Sequence, residues 1–455
     1  MSHGRRIALR KPAGRGPGRL TGGPAAWPRP ACVCPGTLAA LGVALLVLCG
    51  TAPAQPVTSL HLVAWDTGVA GQRELLAELV RQFQRQNPGI IICTEWQPSG
   101  NPEEWLRRWT SSYREHAPDL VVINDLWLVG HAADALPLPV DMQQDLGRRL
   151  PASVAARGGD RLRGVPWVVA TEALYYRSDL MERAGLTPPT TPDELADCAE
   201  RLADPPGVYG FGLPGAGAGG EDLLHVLATA AGGITADEAG AIAPAQPAFE
   251  RALSLLVDMD SRGALQPEVL TWSEIELAGL FVQGRLAMMV SRPWLDTMLQ
   301  QTEATRRAEL GRAEAAGEDG ADRAAALRAA KIEWGIAPLP VASGGAGHLA
   351  VDWLAALAST DAPEQSLKVL RFLAAEDRQR TLAMMGGVPA TRALAAELRG
   401  TDAWRAHLAG LDGALGLPAG QWPLLRAQLA DALSYAISGR RTPAEALEAA
   451  AEIQP

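Results

Sequence analysis

Ser291-Arg-Pro-Trp294 is the short run whose residue types and spacing most directly suggest chemistry. It follows a wholly apolar stretch, Leu286 to Val290, which reads as a strand covered on both faces. Pro293 ends the ladder, so an indole is expected in a loop at the strand's C-terminal edge, where open α/β sheets bind ligands. An indole neither titrates nor attacks; it offers a flat apolar platform. Thirteen of the 23 aromatic residues are Trp, which points the same way. The chain has no nucleophile–His–Asp order and no Cys/His spacing suited to a metal. The Gly-rich stretch Gly215 to Gly220 lacks the lysine of a phosphate loop and reads as a turn. Binding, not catalysis, is the chemistry these residues favour.

Regular elements must hold that strand. Leu277 to Val282 ends an amphipathic helix, and Gln283-Gly-Arg285 is the turn, with Gly284 free to take a positive φ. Upstream, Ser59 to Trp65, Ile90 to Trp96 and Leu120 to Ile123 read as strands. Between them, Gln72 to Asn87 and Trp105 to Ser112 read as helices. Strands alternating with helices over short loops predict a doubly wound α/β sheet. Gly164 to Tyr176 is a long extended segment, able to cross between lobes. Thr191, Pro192 and Glu194 form a capping box opening a helix to Leu202, and Thr442 with Glu445 opens the last helix in the same way. Gln300 to Lys331 predicts a solvated helical hairpin broken at Gly317 to Gly320, and Leu349 to Leu357 a strand carrying Asp352 and Trp353.

A length of 455 residues exceeds one comfortable core and predicts two or more domains. Residues 1–54 stand apart. They hold seven Arg/Lys, no Asp or Glu, an apolar run from Leu38 to Leu48, and Ala52-Pro-Ala54, the order of a secretory signal peptide. Cys49 raises a lipid anchor, against which stands the bulky Leu48 before it. Removal of the segment leaves 34 basic and 51 acidic residues, a net charge of −17. So acidic a chain is a poor partner for nucleic acid or anionic lipid. Cys93 and Cys198 then remain and are expected to be free thiols.

Several stretches, in this order, resemble the family 1 extracellular solute-binding proteins, the maltose, trehalose and multiple-sugar receptors of ABC importers. They are Phe83-x-x-Gln-Asn-Pro-Gly89, Ala117-Pro-Asp119-Leu-Val-Val, Gly164-Val-Pro-Trp167 with Leu174-Tyr-Tyr-Arg-Ser-Asp-Leu180, and Tyr209-Gly-Phe-Gly-Leu213. Phe281-x-Gln-Gly-Arg-x-Ala-Met-Met-Val with Arg292-Pro-Trp294, Trp334-Gly-Ile-Ala-Pro-Leu-Pro340 and Gly387-Val-Pro-Ala-Thr-Arg392 follow. The resemblance covers roughly residues 57 to 452. It implies a periplasmic-binding-protein type II-like α/β fold, with two lobes joined by three crossover segments and a ligand cleft between them. Lobe one would be residues 57–168 plus 341–386, and lobe two 169–334 plus 390–455. The implied protein is no enzyme, needs no cofactor, and is a periplasmic monomer that delivers a carbohydrate to membrane permease subunits.

The same resemblance implies the ligand contacts: Trp65 and Asp66 after the first strand, Asp125 and Trp127 after the third, Trp294 and Trp353 as stacking platforms, and Arg392. Relatives often carry an Asp or Glu where this chain has Ala170. Glu172, two residues on and on the same side of an extended segment, is expected to take over that role. These residue types suit a sugar, whose C–H face stacks on an indole and whose hydroxyls pair with carboxylates and guanidinium. A receptor for a polyol or glycerol-phosphate ligand is the alternative; Arg292 and Arg392 are the visible phosphate candidates. An exported glycoside hydrolase is a further one, with Asp66, Asp125 and Glu172 as carboxylates.

Overall fold

The computed structural model describes residues 57–66, 71–98, 117–159, 161–216, 219–234, 242–384, 387–398, 402–411, 414 and 422–453. The expected signal peptide, Cys49 and the helix expected over Trp105 to Ser112 lie outside these residues.

Among the described residues nine strands build two sheets. The first has the order β2-β1-β3-β9-β4, from β1 (Thr58–Asp66), β2 (Ile90–Pro98), β3 (Leu120–Asn124), β4 (Gly164–Thr171) and β9 (Leu349–Ala356). Its strands β1, β2 and β3 are parallel, and β9 lies antiparallel between β3 and β4. The second has the order β6-β7-β5-β8, from β5 (Ala173–Arg177), β6 (Tyr209–Phe211), β7 (Leu286–Ser291) and β8 (Trp334–Pro338). Here β6 and β7 are parallel, while β5 runs antiparallel to both β7 and β8.

Each sheet has its own core. Leu60, Leu62, Val121, Ile123, Val351 and Trp353 pack with Leu76, Leu79 and Phe83 of the helix Gln72–Gln86, whose apolar residues recur at helical spacing. The second sheet is covered on both faces. Leu174, Met288 and Val290 join one cluster, while their strand neighbours Tyr175 and Met289 join another with Phe281 and Leu295. That alternation is the period of two of a β-strand, and it explains why β7 is buried along all six residues.

The two sheets share a narrow seam. Thr171 still pairs with Leu349 in the first sheet, and Ala173 already pairs with Ser291 and Pro338 in the second. Glu172 alone stands between. Val169, Ala170 and Thr171 complete the ladder with β9. The chain returns from β8 to β9, and further on Val388 bridges to Val169. Ala390, Ala395, Leu408 and Leu411 pack in the first core, whereas the second core takes up the chain again at Trp422.

The loop expected at Pro293 is also corrected. Pro293 is the first residue of a 23-residue helix, Pro293–Ala315, and Trp294 the second. Proline lacks the N–H that a helix start leaves unused, so the residue that ends the strand begins the helix. That helix folds back through Gly317–Gly320 onto the helix Ala321–Ala329. The pair is laced by Arg323–Glu309 and Arg328–Glu314 contacts of 2.8 and 2.6 Å. A Cβ on Gly320 would lie 1.9 Å from the Ala313 carbonyl oxygen, which is why the turn needs glycine there. Both expected capping boxes form, at Thr191 and Thr442, and a further one forms at Ser273. Cys198 is free, but Cys93 is disulfide-bonded, against the expectation of two free thiols. Among the described residues no helix is long and apolar enough to cross a membrane, and no group of three His, Cys, Asp or Glu could hold a metal ion.

Candidate functional site

Polar groups gather where the sheets meet. At the seam, Glu172 has a side chain only 6% exposed. Its Oε1 accepts from Arg292 Nε at 2.9 Å, and its Oε2 pairs with His348 Nδ1 at 2.8 Å. Arg292 follows β7 of the second sheet; His348 precedes β9 of the first. Burial alone would raise the Glu172 carboxyl, but His348 and Arg292 overcome it and hold the group at about 2. Burial likewise works against the Arg292 charge, and Glu172 with Glu274 more than restores it. Both partners are therefore ionised at neutral pH.

More side chains reach this point from the second sheet's helices. Glu274, first residue of the helix Glu274–Val282, accepts from Ser291 Oγ at 2.7 Å. Asp222 and His225 lie on the helix Gly219–Ala231. The His225 ring stands edge-on to His348 at 5.6 Å and to Trp422 at 5.5 Å, and neither of its nitrogens has a partner. Burial, with help from His348, lowers His225 to about 3 and keeps it neutral. Burial raises the carboxyls of Asp222 and Glu274.

Below Glu172, His407 ties both sides of the seam. Its Nδ1 meets Thr171 O at 2.8 Å and its Nε2 meets Tyr175 Oη at 3.0 Å. The Tyr175 hydroxyl also donates to Arg292 O at 3.0 Å. Burial lowers His407 to about 4, only partly offset by the Thr171 carbonyl and Glu172.

The residues expected from sequence are placed unevenly. Trp353 is fully buried in the first core, opposite Ile123 and Pro166 in the ladder, and its indole N–H has no partner. A ring with no exposed surface offers no stacking platform in this state. Its strand neighbour Asp352 lies on the opposite face of the strand and stays partly exposed. Burial raises the Asp352 carboxyl to about 7, with Arg292 opposing and Asp125 adding to the rise. Asp125 starts the helix Asp125–Gly130 and is paired with Arg157. Trp127 is buried, 4.9 Å from the His131 ring in a stacked pair. Trp65 is nearly buried and donates to Val122 O at 2.6 Å, a structural tie within the first sheet. Asp66 is the last residue of β1; its side chain is outside the described residues. Trp294 is half-buried against the cluster of Phe281 and Leu295. Arg392 opens the helix Arg392–Leu398 and is exposed. Ala170 pairs with Ala350 in the first sheet and is buried.

The seam thus joins Glu172, which the sequence singled out, to Arg292, Asp352, His348 and Asp222. The sequence offered one signal for Asp352. Leu349, Val351 and Trp353 form one apolar face, which leaves Asp352 on the other. For His348 and Asp222 it offered none, since the groups they meet are far away in the chain: His348 reaches Glu172 across 176 residues.

Comparison with known proteins supports this architecture. In sequence, a Brucella abortus (strain 2308) protein described as a binding protein is 26% identical over 309 residues, 66% of this chain and 68% of its own. A Deinococcus radiodurans protein described as an ABC transporter-binding protein is 26% identical over half of each chain. In structure, maltose-bound MalE3 of T. maritima aligns with a TM-score of 0.69 at 22% identity, covering 87% of this chain and 98% of its own. The GacH receptor of Streptomyces glaucescens, solved unliganded and with acarbose, gives 0.71 at 19% identity over 87% and 97%. A ribitol-bound solute-binding protein of Agrobacterium radiobacter K84 gives 0.67 at 19% identity over 87% and 98%. At these identities the structural likeness establishes the fold, a type II periplasmic binding protein. The family model for bacterial extracellular solute-binding proteins matches residues 70–380. With two sheets meeting at a one-residue seam lined by polar groups, the chain belongs to the bacterial extracellular solute-binding protein family.

Proposed function

We propose that the protein is an extracytoplasmic receptor that captures a sugar, of di- or oligosaccharide size, and hands it to the permease of an ABC importer. Glu172 carries the reading: one residue separates the two sheets, and it is hydrogen-bonded to a residue of each. A ligand seated beside it touches both lobes, and only a ligand that prefers the closed arrangement shifts the equilibrium toward it. The ligands named for the structural neighbours, maltose, acarbose and ribitol, support a polyhydroxylated ligand here. Export directed by residues 1–54 and a monomeric, periplasmic protein belong to the same reading.

The test is calorimetric titration of the purified protein with maltose, trehalose, raffinose, ribitol and glycerol 3-phosphate. Binding of a di- or trisaccharide is expected, with a compaction of the protein seen by small-angle scattering. Preference for glycerol 3-phosphate, or hydrolysis of the sugar during titration, overturns the reading.

A further inference from the structure

We propose that Arg292 and Asp352 are a matched donor–acceptor pair for the ligand, and that Glu172 and His348 are positioning residues that aim Arg292. This rests on the sugar-receptor reading and goes beyond it by assigning the specificity to residues no comparison singles out.

Arg292 is fixed at two points. Its carbonyl accepts from Tyr175, and its Nε is held by Glu172, which His348 holds in turn. Its two terminal nitrogens have no hydrogen-bond or ion-pair partner among the described residues, and the side chain is 35% exposed. A guanidinium clamped at Nε with both terminal nitrogens open is a donor fork of fixed direction. Glu172, by contrast, has both oxygens engaged and almost no exposed surface. The role expected for it as the ligand's carboxylate passes to another residue.

Asp352 meets that need. It stands in β9 opposite Asn124, and strand alternation puts it on the face opposite Trp353 and on the same side as His348, which holds Glu172. It has no hydrogen-bond or ion-pair partner among the described residues, and its carboxyl feels the Arg292 charge from the other sheet. A vicinal diol can accept from Arg292 and donate to Asp352 at once. A phosphate only accepts, and it would face the carboxylates of Asp352, Asp222 and Glu172. An ammonium group only donates, and would face Arg292. The pair therefore selects an uncharged polyhydroxylated ligand.

The experiment titrates maltose, trehalose, ribitol and glycerol 3-phosphate into the unaltered protein and into R292Q, D352N and E172Q. Circular dichroism and melting curves verify the fold. R292Q is expected to weaken the best neutral ligand about 100-fold and D352N at least 10-fold. E172Q leaves the Arg292 charge unmatched, so the ratio of neutral to phosphorylated affinity falls at least 10-fold. Loss of packing alone would leave that ratio unchanged. Should E172Q not fold, D352N is expected to move the ratio in the same direction. Neutral binding that survives both R292Q and D352N in folded protein overturns the pair and leaves the sugar reading standing. An unaltered protein that binds no neutral polyol overturns the sugar reading itself.

Discussion

The two strands that reach the seam, β7 and β9, hold their polar residues in opposite ways. Asp352 is placed by packing: the next residue, Trp353, is sealed in the first core and fixes the strand's rotation. Arg292 is placed by polar ties: Tyr175, Glu172, His348 and, through Tyr175, His407. An apolar anchor holds at any pH and fails when its volume is removed. A network of buried histidines and a carboxylate keeps its volume and fails when its protonation changes. The ties that place Arg292 should thus respond to pH, and the packing that places Asp352 should not.

The largest effect expected comes from Trp353→Ala. Truncating a fully buried Trp costs about 3–5 kcal/mol, read as a lower urea midpoint by a similar amount at pH 5 and pH 8. A cost that varied strongly with pH would erase the contrast. His407 provides the opposite case. It is held neutral at about 4 in the fold, below its ordinary 6.5, so the unfolded chain binds the extra proton first. Stability then falls as pH drops from about 6.5 to 4, by roughly 3 kcal/mol at full effect. The groups facing it are Thr171, Tyr175 and Glu172. His407→Gln should flatten this slope in melting curves taken across that range, and an unchanged slope would place the acid sensitivity elsewhere.

Trp294→Ala should do little to the fold, since the ring is only half-buried, but should weaken sugar binding by about 1 kcal/mol if the indole stacks on the ring face. Calorimetry separates this from Trp353→Ala, whose loss is in stability. The smallest effect is that of Asp352→Asn on stability. Burial raises its carboxyl to about 7 in the fold, so stability falls as pH rises from about 3.8 to 7. The amide escapes this cost, and because Asp352 keeps partial exposure the gain at pH 8 is on the order of 1 kcal/mol. No gain at pH 8 over pH 5 would mean that the aspartate is already ionised at neutral pH.

Much of this was legible in the sequence, because much of it is local. Apolar period, the Gly284 turn and the Thr191 and Thr442 capping boxes each depend on residues a few positions apart. The lone position between the sheets fell within a segment recognised as extended, and Glu172 was marked out there. What failed was the choice of face. Asp352 and Trp353 are neighbours, the period of a strand puts them on opposite sides, and only the partner strands decide which side is core. Trp294 was misplaced for a related reason: Pro293 ends a ladder and begins a helix equally well. His348 and His407 meet Glu172 and Tyr175 across 176 and 232 residues, a separation at which no spacing rule operates.

The helix Pro293–Ala315 starts one residue after Arg292 and is tied to its neighbour by its own ion pairs. At 23 residues it is ~35 Å long, so a tilt of about 5° at its base swings the far end by about 3 Å. It acts as a pointer fixed to the residue proposed to meet the ligand. A dye near Glu314 would turn an ångström-scale event at the seam into a distance change that a fluorescence experiment can follow in real time.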